Sequence, residues 1–196
     1  VLASRADNVK VSLRSPLIAP HLALVDPQVT ESVPPPVTAS TGMDALAQVM
    51  EPYVSAHANP LTDSLCREGM RRAVRSLRRA YHQGDDLAAR EDMAVASLFG
   101  GLALANAKLG AVHGFAGPLG GMFHAPHGAL CARLLAPVMA VNVEALKQRQ
   151  PASLALERYE IISKTVTRDS EASVEDGVAW LDDLTQDLDV LPLSAH

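Results

Sequence analysis

From Pro34 onward, apolar residues recur every three or four positions in one segment after another. That period confines most of the chain to packed helices. Pro34, Pro35 and Pro36 make a stiff entry, with Thr38, Ser40 and Thr41 as candidate N-caps. Met43, Leu46, Ala47 and Met50 then follow at helical spacing. Asn59-Pro60 opens a second helix whose apolar face is Leu61, Leu65, Met70, Val74 and Leu77, closed by Gly84. Asp85 and Asp86 open a third, running to about Lys108 with Gly110 as its stop. The glycine- and histidine-rich stretch His113–Gly121 reads as a turn. Pro126 begins another helix ending near Asn142. Ala152–Thr165 and Ala172–Leu188 complete the set, the last capped by Asp169 or Ser170.

The opening residues follow a different pattern. Val9–Leu13 alternates apolar and polar residues like a strand, and His21–Asp26, HLALVD, is a short apolar run stopped by Pro27 that reads as a buried strand. Two strands cannot enclose a core alone, so they are expected to be the edge of a larger sheet. The expected architecture is mainly α: two strands, then six or seven helices.

Composition narrows the function classes. Hydrophobic residues make up 48% of the chain, enough to bury a core and too many for wholesale disorder. The net charge of −5, with both signs spread along the sequence, argues against a binder of nucleic-acid phosphates. The one basic cluster, Arg71, Arg72, Arg75, Arg78 and Arg79, has the spacing of a solvated helix face. The longest apolar run, Met93–Ala107, is too short for a membrane span and reads as a buried core helix. Cys66 and Cys131 lie far apart and form no CxxC pair; with no signal-peptide pattern at the start, they point to a reducing, cytoplasmic setting.

One constellation carries chemistry. Asp44 lies in the otherwise apolar helical stretch TGMDALAQVM, where a buried carboxylate is costly unless paired or bound to a cation. Gln48, four residues on, shares its helix face. His113, His124 and His127 fall within fifteen residues of one another, among Gly110, Gly114, Gly117, Gly120 and Gly121. Imidazole with carboxylate suits a transition metal. The plain alternative is a set of core histidines at a glycine-rich helix crossing. Cys131, four residues beyond His127, reads as a small buried core residue.

The segments LALVDPQVTESVPPPVTASTGMDALAQVMEPYVS, NPLTDSL and LGAVHGFAGPLGGMFHAPHGALCARLLAPVMAVN, in that order, resemble the iron-containing (group III) alcohol dehydrogenase family. That family includes maleylacetate reductases and resembles dehydroquinate synthase in fold. The resemblance implies an all-helical C-terminal domain that holds a divalent metal, Fe2+ or Zn2+. An α/β domain binding NAD or NADP would precede it. It implies hydride transfer between the nicotinamide and a small alcohol or aldehyde. Residue by residue, it implies metal ligation by Asp44, His113 and His127. Gln48 stands where the family usually has a histidine ligand, and remains a candidate fourth ligand or a hydrogen bonder to the others. Gly117 stands where the family often has a histidine that assists proton transfer; His124 is the candidate replacement as catalytic residue. Lys10 matches a lysine near the nucleotide.

The sequence holds no GGGS loop, no GxGxxG and no βαβ series. Residues 1–27 are therefore expected to be the remnant of a nucleotide-binding domain, and residues 28–196 a helical metal and substrate domain that is C-terminally incomplete. Such a piece would not turn over alone, and its uncovered cleft would favour a homo-oligomer, a dimer, with no nucleic-acid or membrane partner. Two alternatives stay open: a metal-independent enzyme of the maleylacetate reductase type, and a non-catalytic helical dimerisation module.

Overall fold

The computed structural model describes residues 2–4, 7, 9–11, 15–18 and 20–195. Seven α-helices dominate these residues: α1 Pro35–Tyr53, α2 Pro60–His82, α3 Leu87–Ala107, α4 Ala111–Met122, α5 His127–Arg149, α6 Leu154–Thr167 and α7 Val174–Asp187. Two short strands, β1 Leu2–Ser4 and β2 Val9–Val11, pair antiparallel, with Ala3 opposite Lys10. The mainly α expectation is met. The predicted strand over Val9–Leu13 appears as β2, while Ser12 and Leu13 lie outside the described residues.

His21–Asp26 is not the buried strand its apolar run predicts. All six residues are exposed, Leu24 at 90%, and no strand lies beside them among the described residues. Without a ladder partner the exposed backbone of this run is left to water, and the run ends where Asp26 accepts the Gln28 N–H at 3.0 Å.

Helix α1 is the centre of the bundle. It packs against α2, α3 and α5, and Met43, Leu46, Val49, Met50 and Tyr53 are fully enclosed. It starts at Pro35, before the predicted caps, because Pro35 and Pro36 supply helical φ where no N–H partner is needed. Thr38 and Thr41 instead turn their hydroxyls back to the Val33 and Val37 carbonyls. Helix α2 begins as predicted, with Asn59 and Thr62 capping each other reciprocally. Asp86 caps α3 through the Ala89 N–H. Within the apolar run Met93–Ala107, helix α3 buries only the small residues Ala96, Gly100, Ala103 and Ala107, while Leu102 is 45% exposed, so it is not the enclosed core helix expected of that run. The last helix is capped by Ser173 in a box with Asp176, not by Asp169 or Ser170. Helix α5 runs a further two turns past Asn142. Its composition would suit a membrane span, but it packs against α1, α4 and α7.

The largest departure is α4. The predicted turn over His113–Gly121 is a helix, although it contains four glycines and Pro118. It turns away from α3 by 102°, with Lys108 at φ 64° in the bend. Gly114 and Gly117 face open space, while Val112, Ala116, Gly120 and Gly121 are buried. Packing on α5 and an anchored first turn hold a segment whose own propensity is poor.

The arginines of α2 are paired rather than merely solvated. Arg72 and Arg75 both reach the buried Asp92 of α3, which also accepts the Ser76 hydroxyl. Arg78 bridges Asp183 and Asp187 of α7, and Arg79 pairs with Asp86. Burial alone would raise the Asp92 pKa, but the Arg75 and Ser76 hydrogen bonds prevail and hold it below its ordinary value of 3.8. A depressed carboxylate stabilises the fold above that value and loses its effect as pH falls through the folded pKa. Asp92→Asn should therefore destabilise the protein at pH 7 by about 2 kcal/mol, with the difference from the parent narrowing below the ordinary value. Urea midpoints measured from pH 7 to pH 3 test this.

Helices α1 and α5 cross so closely that a Cβ on Gly128 would run into the carbonyl and hydroxyl oxygens of Ser40. Gly128→Ala should cost about 1–3 kcal/mol through overpacking, measured by chemical denaturation.

Candidate metal centre

Three helices supply the site. From α1 come Asp44, Gln48 and Glu51, at positions i, i+4 and i+7 of one face. From α4 comes His113, two residues into the helix, and from α5 come His127, at its first turn, and Cys131 one turn later. The Gly128 contact with Ser40 brings the start of α5 down onto α1 and sets His127 opposite Asp44.

Glu51 organises the centre. Its side chain is 7% exposed. One carboxylate oxygen accepts the Val112 N–H at 2.8 Å, and the other lies 2.5 Å from His113 Nδ1. The Val112 amide is one of the free donors at the start of α4, so the carboxylate also acts as that helix's cap. Gly110 makes this possible: a Cβ there would sit 2.8 Å from Glu51 Oε1. With the Nδ1 proton given to Glu51, His113 turns Nε2 toward Asp44 Oδ1, 2.9 Å away.

The remaining donors gather at the same point. His127 Nε2 lies 3.9 Å from Asp44 Oδ1 and 3.6 Å from Cys131 Sγ, which is 3.9 Å from His113 Nε2. One donor atom from each of Asp44, His113, His127 and Cys131 falls within 4.8 Å of all the others. The inner side is closed, with His113 11% exposed, whereas His127 is 41% exposed and marks the opening.

The charges differ across the site. Burial works against charging His113, but hydrogen bonds to Asp44, Cys131 and Glu51 carry its pKa up to about 11. Burial lowers the pKa of His127; Asp44 opposes this, while His113 and Lys10 reinforce it. Burial would raise Asp44, yet His113 and His127 hold it below the ordinary carboxylate value. The thiol of Cys131 is pushed up by burial, against the pull of His113. The outer histidine therefore favours the neutral form in which an imidazole can ligate.

Of the residues singled out from sequence, Asp44, His113 and His127 come together. Gln48 meets them only through its amide, whose Nε2 donates to Asp44 Oδ1 at 3.1 Å. Lys10, on β2, places its ammonium beside Gly120 at the rim, near enough to His127 to disfavour a second positive charge. His124 stands apart. It is exposed in the loop between α4 and α5 at φ 55°, and it is not among the converging donors. Cys131 is a fully buried core residue, as expected, but its sulfur faces both histidines. Glu51 went unremarked in the sequence, although a carboxylate seven residues beyond Asp44 in an apolar helix is the signal that marks it. A carboxylate oxygen, two imidazole nitrogens and a sulfur, with a carboxylate behind one imidazole, fit a divalent transition metal.

Residues 38–192 match the C-terminal model of the Fe-containing alcohol dehydrogenase family. Choline dehydrogenase of Bacillus subtilis is 35% identical over 190 residues, which cover 97% of this chain and 46% of that protein. A halo-thermophilic archaeal alcohol dehydrogenase from a Red Sea brine pool, solved bound to NZQ, superposes with a TM-score of 0.89 at 27% identity, covering all of this chain and 49% of that one. The sulfoacetaldehyde reductase of Bifidobacterium kashiwanohense, solved with NAD+, gives a TM-score of 0.80 at 29% identity over 97% of this chain and 48% of its own. The chain thus spans less than half the length of these relatives. It belongs to the Fe-containing alcohol dehydrogenase family, a family of oxidoreductases, and corresponds to the family's C-terminal region.

Proposed function

We propose that this chain is the metal- and substrate-holding part of an NAD(P)-dependent dehydrogenase that moves hydride between a nicotinamide and a small alcohol or aldehyde. The observation that carries this reading is the convergence of Asp44, His113 and His127, from three helices, on one partly open point. Fe2+ or Zn2+ held there would supply Lewis acidity toward the alcohol or carbonyl oxygen.

The chain's own residues do the preparatory work. Glu51 fixes the orientation of His113 through Nδ1, so that Nε2, which donates to Asp44 here, would turn its lone pair to an ion that displaces that proton. Asp44 supplies the negative charge, and Gln48 orients it by donating to the same oxygen. His127 forms the wall next to the opening, where a substrate oxygen would enter. Lys10 adds positive charge at the rim, suited to an anionic group of a nucleotide. That a relative of the same fold is solved with NAD+ supports a nicotinamide as the hydride carrier.

A second reading keeps the site and dispenses with the ion. It rests on the Gln48 amide, which turns its N–H groups to Asp44, and on His113, which is held protonated between two carboxylates and so is able to donate a proton. Activity that persists after exhaustive chelation of an enzyme carrying this chain would favour it.

Under the metal reading, the purified protein binds one Zn2+ or Fe2+ per chain by elemental analysis, and Asp44→Ala abolishes it. A parent protein that takes up no ion sinks the reading. Glu51→Gln leaves the ligands in place but loosens His113. It should weaken metal affinity about 10- to 100-fold, read by competition with a chelator of known affinity.

A further inference from the structure

We propose that Cys131 is the fourth protein ligand of the metal centre, making an Asp-His-His-Cys set with Asp44, His113 and His127. The inference rests on the metal reading above and specifies its coordination.

Geometry carries it. In a tetrahedral site with bonds of about 2.0–2.1 Å to nitrogen or oxygen and about 2.3 Å to sulfur, donor atoms stand about 3.3–3.6 Å apart. The separations here scatter around that edge length: 2.9 Å from Asp44 Oδ1 to His113 Nε2, 3.9 Å from Asp44 to His127, and 3.6 and 3.9 Å from the sulfur to the two imidazoles. Cys131 lies one turn beyond His127 on the same face of α5, so one rigid helix aims both donors at one point. Gln48 is the other candidate for the fourth place, and its geometry is wrong for it. Its Nε2 is an N–H donor turned to a carboxylate and has no lone pair to give, while its side chain is wedged beside Gly100 on α3.

Coordination displaces the thiol proton to solvent and leaves a thiolate on the ion. The sulfur fills the buried side of the site, and the half-exposed side at His127 stays free for an exchangeable fifth position, which a zinc centre can adopt. A thiolate is a soft donor and shifts the site's preference toward zinc.

Cobalt substitution tests this directly. The metal-free protein, titrated with Co2+, should develop visible d–d bands together with an intense near-ultraviolet thiolate-to-cobalt charge-transfer band. Cys131→Ser should keep the d–d bands, lose the charge-transfer band and bind Zn2+ at least about tenfold more weakly. Cys66→Ser, which alters a buried thiol away from the site, should match the parent. Cobalt d–d bands in the parent without charge transfer would overturn sulfur ligation while leaving the metal reading intact. No cobalt binding at all would overturn both. The parent spectrum decides the matter even where Cys131→Ser fails to fold.

Discussion

The buried carboxylate of Glu51 is the interaction on which the rest of the structure depends. Taking a carboxylate out of water costs several kcal/mol unless its oxygens are satisfied. Here one oxygen is satisfied by a backbone N–H at the start of α4 and the other by His113 Nδ1. The same two contacts give α4 its anchor. A helix with four glycines and a proline has little reason to form alone, and its first turn is tied to α1 by the group that also needs it. The fold and the site share this bond: it sets the position of α4 and the orientation of the histidine that α4 presents.

The glycines at the close approaches have a different task from those on the open face. Gly128 lets α5 touch the backbone of α1, and Gly110 leaves room for Glu51. At Gly114 and Gly117 a Cβ would meet nothing, so they add only a face of α4 without side chains. Away from the site, Arg158 binds Asp63 with both of its terminal nitrogens and donates to the Tyr53 carbonyl, locking α6 against the ends of α1 and α2. Arg90 does the same for the α1 entry, donating to Thr38, Val33 and Gly84. These clamps hold both ends of α1, the helix that carries the three acidic and amide groups of the centre.

The site is electrically divided. Its inner half holds two carboxylates around a charged imidazole, and its outer half holds a neutral imidazole near a lysine ammonium. A cation entering such a site would replace the proton of the inner imidazole as the partner of Asp44, so the buried negative charge is compensated in either state. That arrangement explains how the bundle tolerates acidic groups in its most enclosed helix.

The sequence by itself determined the helical class, the Asn59 and Asp86 caps, and the three ligand candidates Asp44, His113 and His127. Each follows from periodicity, local capping chemistry or the resemblance of ordered motifs, all of which are properties of short stretches. Only the tertiary structure decided the rest. Whether His113–Gly121 was turn or helix depended on packing against α5 and on Glu51, 62 positions before His113. Whether His21–Asp26 was strand depended on a neighbour to pair with. Where the side chains of Gln48, His124 and Cys131 lie was also decided there. An amide turned to a carboxylate, a loop histidine facing solvent and a thiol aimed at two imidazoles look alike in one dimension. Which of them meets the centre is decided by the crossing of α1, α4 and α5, through distances that no local pattern encodes.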